Sequence, residues 1–239
     1  MNNTANFLGS SRGIILAADV DNLEKLRVLL NQVSGVREIV AIKLGFSLGL
    51  RFGLPNVVNT VREISSLPII YDHQKAGTDI PQMGPAFAAV CREAGVDGAI
   101  FFPQAGPRTL EGFVSGAIEK ELVPIVGLVM SHPAYLESEG GYIVDEAPNR
   151  MAATALELGV TNFVLPGTKP KIVKKFARGV LAETKVAIMM PGIGSQGGSL
   201  SAACKAAAPH RSFPIVGSAI YDAKEPRRAA RSFANELKG

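Results

Sequence analysis

Residues 69 to 81 read IIYDHQKAGTDIP, which places Asp72, Lys75 and Asp79 close together with Gly77 among them. Two isoleucines and a tyrosine mark the end of a buried strand, so the charges arrive just where the apolar run stops. Carboxylates and ammonium groups in alternation hold one another ionised, because each opposite charge stabilises its neighbour's charged form. At a separation of about 4 Å and an effective dielectric near 20, one such pair is worth around 4 kcal/mol before desolvation is subtracted. As a stability device the array is a poor choice, since apolar residues of similar volume often serve as well. As fixed electrostatics for a reaction that develops charge it is well suited.

A second lysine, Lys43, stands inside the apolar run IVAIKL. An unpaired ammonium there would be costly to bury, and Asp72 is its natural partner. Other polar residues fall at the ends of similar runs: Asp19 and Asp21, Ser131 and His132, Thr168 and Lys169 in PGTKP, Gln196 in PGIGSQGG, and the segment VGSAIY. Taken singly, Asp19, Asp21 or Asp79 would serve equally well as a helix N-cap. The glycines of PGIGSQGG suit close approach of backbone N–H groups to a phosphate, although tight turns use glycine too. His73 and His132 complete no nucleophile or metal pattern and read as structural or hydrogen-bonding residues; His210 reads as surface.

Eight apolar runs position these side chains: GIILAA (13–18), IVAIKL (39–44), LPIIY (67–71), GAIFF (98–102), VPIVGLV (123–129), NFVLP (162–166), KVAIMM (185–190) and FPIVG (213–217). Each precedes a longer amphipathic stretch, such as NLEKLRVLLNQV or RMAATALELG, so the repeating unit is βα. Continuous rather than alternating apolar runs indicate strands covered on both faces, as in a parallel sheet. Eight such units in unbroken series predict a (β/α)8 barrel, an α/β fold, as a single domain over residues 1–239; a doubly wound sheet is the structural competitor. In a barrel the βα loops gather at one mouth, and the loops after strands seven and eight commonly hold phosphate. Two lysines and three or four carboxylates then converge on that mouth. The longest connection, SHPAYLESEGGYIVDEAP after the fifth strand, suits an active-site flap.

Composition narrows the function further. With 47% hydrophobic and 19% charged residues the chain has ample material for a core. No apolar run reaches the roughly 20 residues of a membrane helix, and the opening MNNTANFLGSSRG has no signal-peptide pattern. The net charge of +4 suits an anionic small molecule. The basic residues of KPKIVKKFARG and EPRRAARS are spaced as solvated helix faces, and the chain has no Trp, so nucleic acid is not expected as a partner. Cys91 and Cys204 lack metal-ligand spacing and read as core residues of a cytoplasmic protein with free thiols.

These segments together resemble the orotidine 5′-phosphate decarboxylase family over nearly the whole chain. LAADVDN is similar to the family's first-strand segment and implies Asp19 as a ribose contact. IKLGFSL resembles its KxG stretch and implies Lys43. VMSHPA resembles MSHPG and implies Ser131 as a pyrimidine contact. MPGIGSQGG resembles the PGxGxQGG loop and implies Pro191 and Gln196 at the substrate, with Gln196 on phosphate and base. The family's D-x-K-x-x-D-I signature here reads D-x-x-K-x-x-x-D-I, one residue longer on each side of the lysine, and implies Asp72, Lys75 and Asp79 as catalytic residues with Lys43. After VG the family usually carries an arginine; Ser218 stands there, so phosphate would rest on Gln196 and the backbone N–H groups of Gly217 and Ser218. The resemblance further implies no cofactor, no metal, orotidine monophosphate as substrate, Lys75 as proton donor to carbon 6, and a homodimer with Asp79 crossing the interface. Two alternatives stay open. Related metal-dependent hexulose-phosphate synthases and ketogulonate-phosphate decarboxylases carry a glutamate after strand two, where this chain has Lys43. A non-catalytic nucleotide-binding barrel is the other.

Overall fold

The computed structural model describes residues 7–73 and 79–238. Every one of the eight apolar runs becomes a strand: β1 (Ile14–Ala17), β2 (Ile39–Gly45), β3 (Ile69–Asp72), β4 (Gly98–Phe101), β5 (Val123–Gly127), β6 (Asn162–Val164), β7 (Ala187–Met190) and β8 (Arg211–Val216). Neighbours pair in parallel in chain order. The sheet then closes through Ile15 opposite Ile215 and Leu16 opposite Val216. That closure excludes the doubly wound alternative, whose sheet keeps two edges.

Helices cover the outside: α1 (Leu23–Val33), α2 (Phe46–Phe52), α3 (Leu54–Arg62), α4 (Met83–Glu93), α5 (Pro107–Glu119), α6 (Ala147–Glu157), α7 (Pro170–Arg178), α8 (Leu200–Ala207), α9 (Ser218–Tyr221) and α10 (Pro226–Lys238). Their starts follow local chemistry. The Asn22 side chain accepts the N–H of Lys25 at 2.8 Å and caps α1. Proline in the first turn of α5, α6 and α7 supplies a ready-made helical φ where no N–H partner exists. On α7, Val173, Phe176 and Ala177 are buried while Lys171, Lys174, Lys175 and Arg178 face water, the solvated basic face expected of KPKIVKKFARG.

Two apolar layers result from strand alternation. Ile14 and Leu16 pack outward with the helices, whereas Ile15 and Ala17 join Ala41, Ile70, Ile100, Met189 and Phe213 in the barrel lumen. Leu8 and Phe7 pack against that inner cluster, so the lumen is a filled core. Cys91 is buried and Cys204 partly so, both as free thiols. His210, read as surface, is instead half-buried, with Nε2 2.8 Å from the Ala177 carbonyl. Among the described residues no helix is long and apolar enough to cross a membrane.

Candidate active site

At the C-terminal ends of the strands lies a cavity of about 230 Å3. Its charged end is built around Lys43. This residue pairs in register with Ala17 on β1 and Ile70 on β3, so β2 carries it between the two strands that supply carboxylates. Its Nζ lies 3.2 Å from each Asp19 oxygen and 3.3 Å from Asp72 Oδ2. The lysine is only 5% exposed. Burial by itself would push the ammonium's pKa down, but the fields of Asp72 and Asp19 and their hydrogen bonds outweigh it, and the net shift is upward. Lys43 is therefore a fixed positive charge at any physiological pH. The sequence-level pairing with Asp72 is present, and Asp19 is a second partner.

The glycine of IKLG has a physical reason. A Cβ added at Gly45 would overlap the Asp19 carboxylate. Gly45 sits opposite Asp72 in the β2–β3 register. A bare backbone here lets the carboxylate lie across the end of β2 and reach Lys43.

Just past Asp72, the Tyr71 hydroxyl lies 2.5 Å from His73 Nδ1. Burial, aided by Cys91 and Asp72, pushes the tyrosine's pKa up to about 12, so the hydroxyl keeps its proton and shares a hydrogen bond with the imidazole. Both rings pack against Phe87 of α4. His73 thus has the structural, hydrogen-bonding role expected of it. Lys75 lies outside the described residues. Asp79 is exposed and absent from the residues lining this cavity. Its side chain accepts the N–H of Ile80, and its carbonyl accepts the Thr109 hydroxyl at 2.9 Å.

Elsewhere around the rim, Ser131, Pro191, Gln196, Gly217 and Ser218 all line the cavity, as the sequence suggested. The loops after β7 and β8 are joined by Ser195 and Ser218, whose hydroxyl oxygens lie 2.6 Å apart. Gly192 has φ +89°, and a Cβ there would meet Thr168 Cγ2 at 2.7 Å and Gln196 Oε1 at 3.1 Å; only glycine fits both the conformation and the space. The walls between these polar groups are apolar: Ile100, Phe102, Val129, Met130, Val164, Ile193 and Ile215. A flat, partly apolar ring with a charged edge matches that distribution.

Three differences from the sequence reading stand out. Asp21 is not part of the mouth: its carboxylate pairs with Lys25 one helical turn on, at 2.9 Å, and is held below the usual range mainly by that hydrogen bond. None of Asp19, Asp21 and Asp79 caps a helix, because Asn22 caps α1 and no side chain caps α4. Tyr221 lines the cavity but was given no role. Burial raises its pKa, with Asp19 contributing. Its signal was present in VGSAIY, since residues three apart on a single helical turn share a face.

Comparisons with known proteins place the chain in a family. The model of the family described as orotidine 5′-phosphate decarboxylase / HUMPS matches residues 12–233. The chain is 35% identical over 227 residues to an orotidine 5′-phosphate decarboxylase of Methanosarcina acetivorans, covering 94% of each. It is 32% identical to that of Pyrococcus furiosus, covering 94% of this chain and 97% of the relative. Among solved structures, orotidine 5′-phosphate decarboxylase of Pyrococcus horikoshii superposes with a TM-score of 0.76 at 28% identity, over 95% of this chain and all (100%) of the other. The Methanocaldococcus jannaschii enzyme in complex with inhibitor BMP gives a TM-score of 0.82 at 23% identity, over 95% and 99%, a likeness of fold.

Proposed function

The chain belongs to the orotidine 5′-phosphate decarboxylase / HUMPS family, and on that premise we propose that it converts orotidine 5′-monophosphate to uridine 5′-monophosphate and CO2 in pyrimidine biosynthesis. The observation that carries this reading is the buried Lys43 ammonium held between Asp19 and Asp72 at the edge of an otherwise apolar cavity. The pyrimidine lies between the apolar walls, with Ser131 at its edge and Asp19 at the ribose. Gln196, Pro191 and the backbone of Gly217 and Ser218 face the phosphate. The substrate carboxylate is placed beside the Asp72 carboxylate, an arrangement that favours loss of neutral CO2. When the bond from carbon 6 breaks, its electron pair stays on carbon 6, and the Lys75 ammonium delivers a proton there, leaving a neutral amine. Binding energy from the distant phosphate orders the site without touching the bond that breaks. No cofactor takes part in this scheme.

The metal-dependent branch of the family is disfavoured by the same charge. Where those enzymes are expected to place a carboxylate ligand, Lys43 presents an ammonium paired with both nearby acids, which repels a divalent cation. We further read the protein as a cytoplasmic homodimer in which Asp79 completes the partner's site. Its exposed position outside its own cavity is consistent with that, as are Phe46, Leu50, Ile80 and Met83, large apolar side chains left exposed after β2 and β3.

The direct test follows loss of orotidine monophosphate absorbance with and without a chelator; the reading requires turnover in both. Lys75→Ala is expected to abolish turnover while uridine monophosphate still binds. Retention of most activity by that variant refutes the assignment of the proton donor.

A further inference from the structure

Lys169, at the rim but outside the chemistry just described, lies at the junction of two loops. Its backbone is the N-cap of α7, fixed by the hydrogen bond from its N–H to Pro166 and by Ile172 and Val173 donating to its carbonyl. From that anchor the side chain crosses to the excursion after β5. There Nζ meets Glu139 Oε1 at 2.6 Å and the His132 carbonyl at 3.2 Å. Both partners are largely shielded, with side-chain exposures of 19% and 26%, so this ion pair is less screened than a surface pair.

The Glu139 carboxylate gathers the excursion in turn. It accepts the Tyr135 N–H at 3.3 Å, and the turn around it closes through Gly141 donating to the Leu136 carbonyl at 2.8 Å. The Lys169 hydrogen bond is the main reason that its pKa lies below the usual range. One residue before Lys169, the Thr168 hydroxyl donates to the Ser131 carbonyl at 3.3 Å. The β6 loop thus grips the backbone of Ser131 and His132 at two adjacent carbonyls, while Ser131 itself lines the cavity.

We propose that Lys169, acting through Glu139 and the His132 carbonyl, is a positioning residue that holds Ser131 at the substrate. This rests on the decarboxylase reading, in which Ser131 contacts the pyrimidine. Lys169 does not touch the substrate. The excursion is then a tethered wall of the site whose fixed end is the β6–α7 junction.

The test compares Lys169→Met, Lys169→Arg and Glu139→Gln with the wild type. Losing the Lys169 ammonium and its hydrogen bonds between these loops is expected to raise KM for orotidine monophosphate about tenfold, with kcat changed less than about threefold. Arginine keeps the charge and the reach and restores KM to within about twofold of wild type. The double variant Lys169→Met/Glu139→Gln is no worse than Lys169→Met alone, because loss of the ammonium already ends its pairing with residue 139. Hydrogen exchange across residues 131–145 accelerates in Lys169→Met and not in Lys169→Arg. Unchanged KM and unchanged exchange in Lys169→Met overturn the proposal, as does a fall in kcat alone or multiplicative effects in the double variant. Should Lys169→Met fail to fold, Glu139→Gln carries the same expectations. A wild type without decarboxylase activity refutes the functional reading instead, and the exchange experiment still decides whether Lys169 holds the loop.

Discussion

Lys43 is a buried ammonium whose charge depends on its neighbours. Its ammonium is nearly inaccessible to water, and two carboxylates at 3.2 and 3.3 Å keep it ionised. Removing it takes the shared ammonium from between Asp19 and Asp72, and losing one partner of a buried ion pair costs about 3–5 kcal/mol. Lys43→Met is therefore expected to lower kcat/KM by about a thousandfold, the scale of losing a preorganised charge in a closed site. Steady-state kinetics on a folded sample check it; a loss below tenfold would mean that this charge is incidental. The sign of the pH dependence follows from the upward shift of the Lys43 pKa. A pKa raised in the fold means that the pair's stabilisation is complete below the ordinary lysine pKa and is lost only as pH climbs through the higher folded value. Unfolding midpoints measured across the alkaline range should thus show a loss that Lys43→Met lacks.

At the scale of elements, what matters is which strand lies between which. β2 stands between β1 and β3, so a lysine on its inner face meets an acid from each neighbour, and the close approach of Asp19 depends on the missing side chain at Gly45. Gly45→Ala places a methyl group where the carboxylate now sits. Asp19 must move, and displacement of this size in a catalytic array can cost about a hundredfold in rate. We expect kcat/KM to fall by about that factor, with the melting temperature changed far less; equal activity in Gly45→Ala would show that Asp19 has other room. These strand positions were readable beforehand because period and composition mark a buried parallel strand whatever surrounds it. The exclusion of Asp21 was not, and Tyr221 was legible only given that VGSAIY forms a helical turn, because each depends on the direction in which the chain leaves the strand. Asp21 turns out to solvent with Lys25, and Tyr221 turns in on a single helical turn.

For the whole molecule, exposed apolar surface bears on assembly. Phe46, Leu50, Ile80 and Met83 are between 42% and 71% exposed, all on connections that follow β2 and β3. In the proposed homodimer a second subunit would remove this apolar area from water, and the exposed Asp79 next to Ile80 would go with it. Leu50→Glu buries an unpaired charge in such an interface, so it is expected to yield a monomer by sedimentation velocity and to lose activity with it. A dimer of unchanged stability would place the interface elsewhere.

Sequence alone determined the number and kind of strands, the closed parallel architecture they favour, and most of the polar residues at the mouth. Those properties follow from local periodicity and from the cost of burying charge without a partner. Only the tertiary structure decided that Lys43 has two acids rather than one, that Gly45 makes room for the second, and that Lys169 reaches back to hold the loop of Ser131. Each of these depends on distances between segments far apart in the chain, which barrel closure and side-chain direction set and no local pattern encodes.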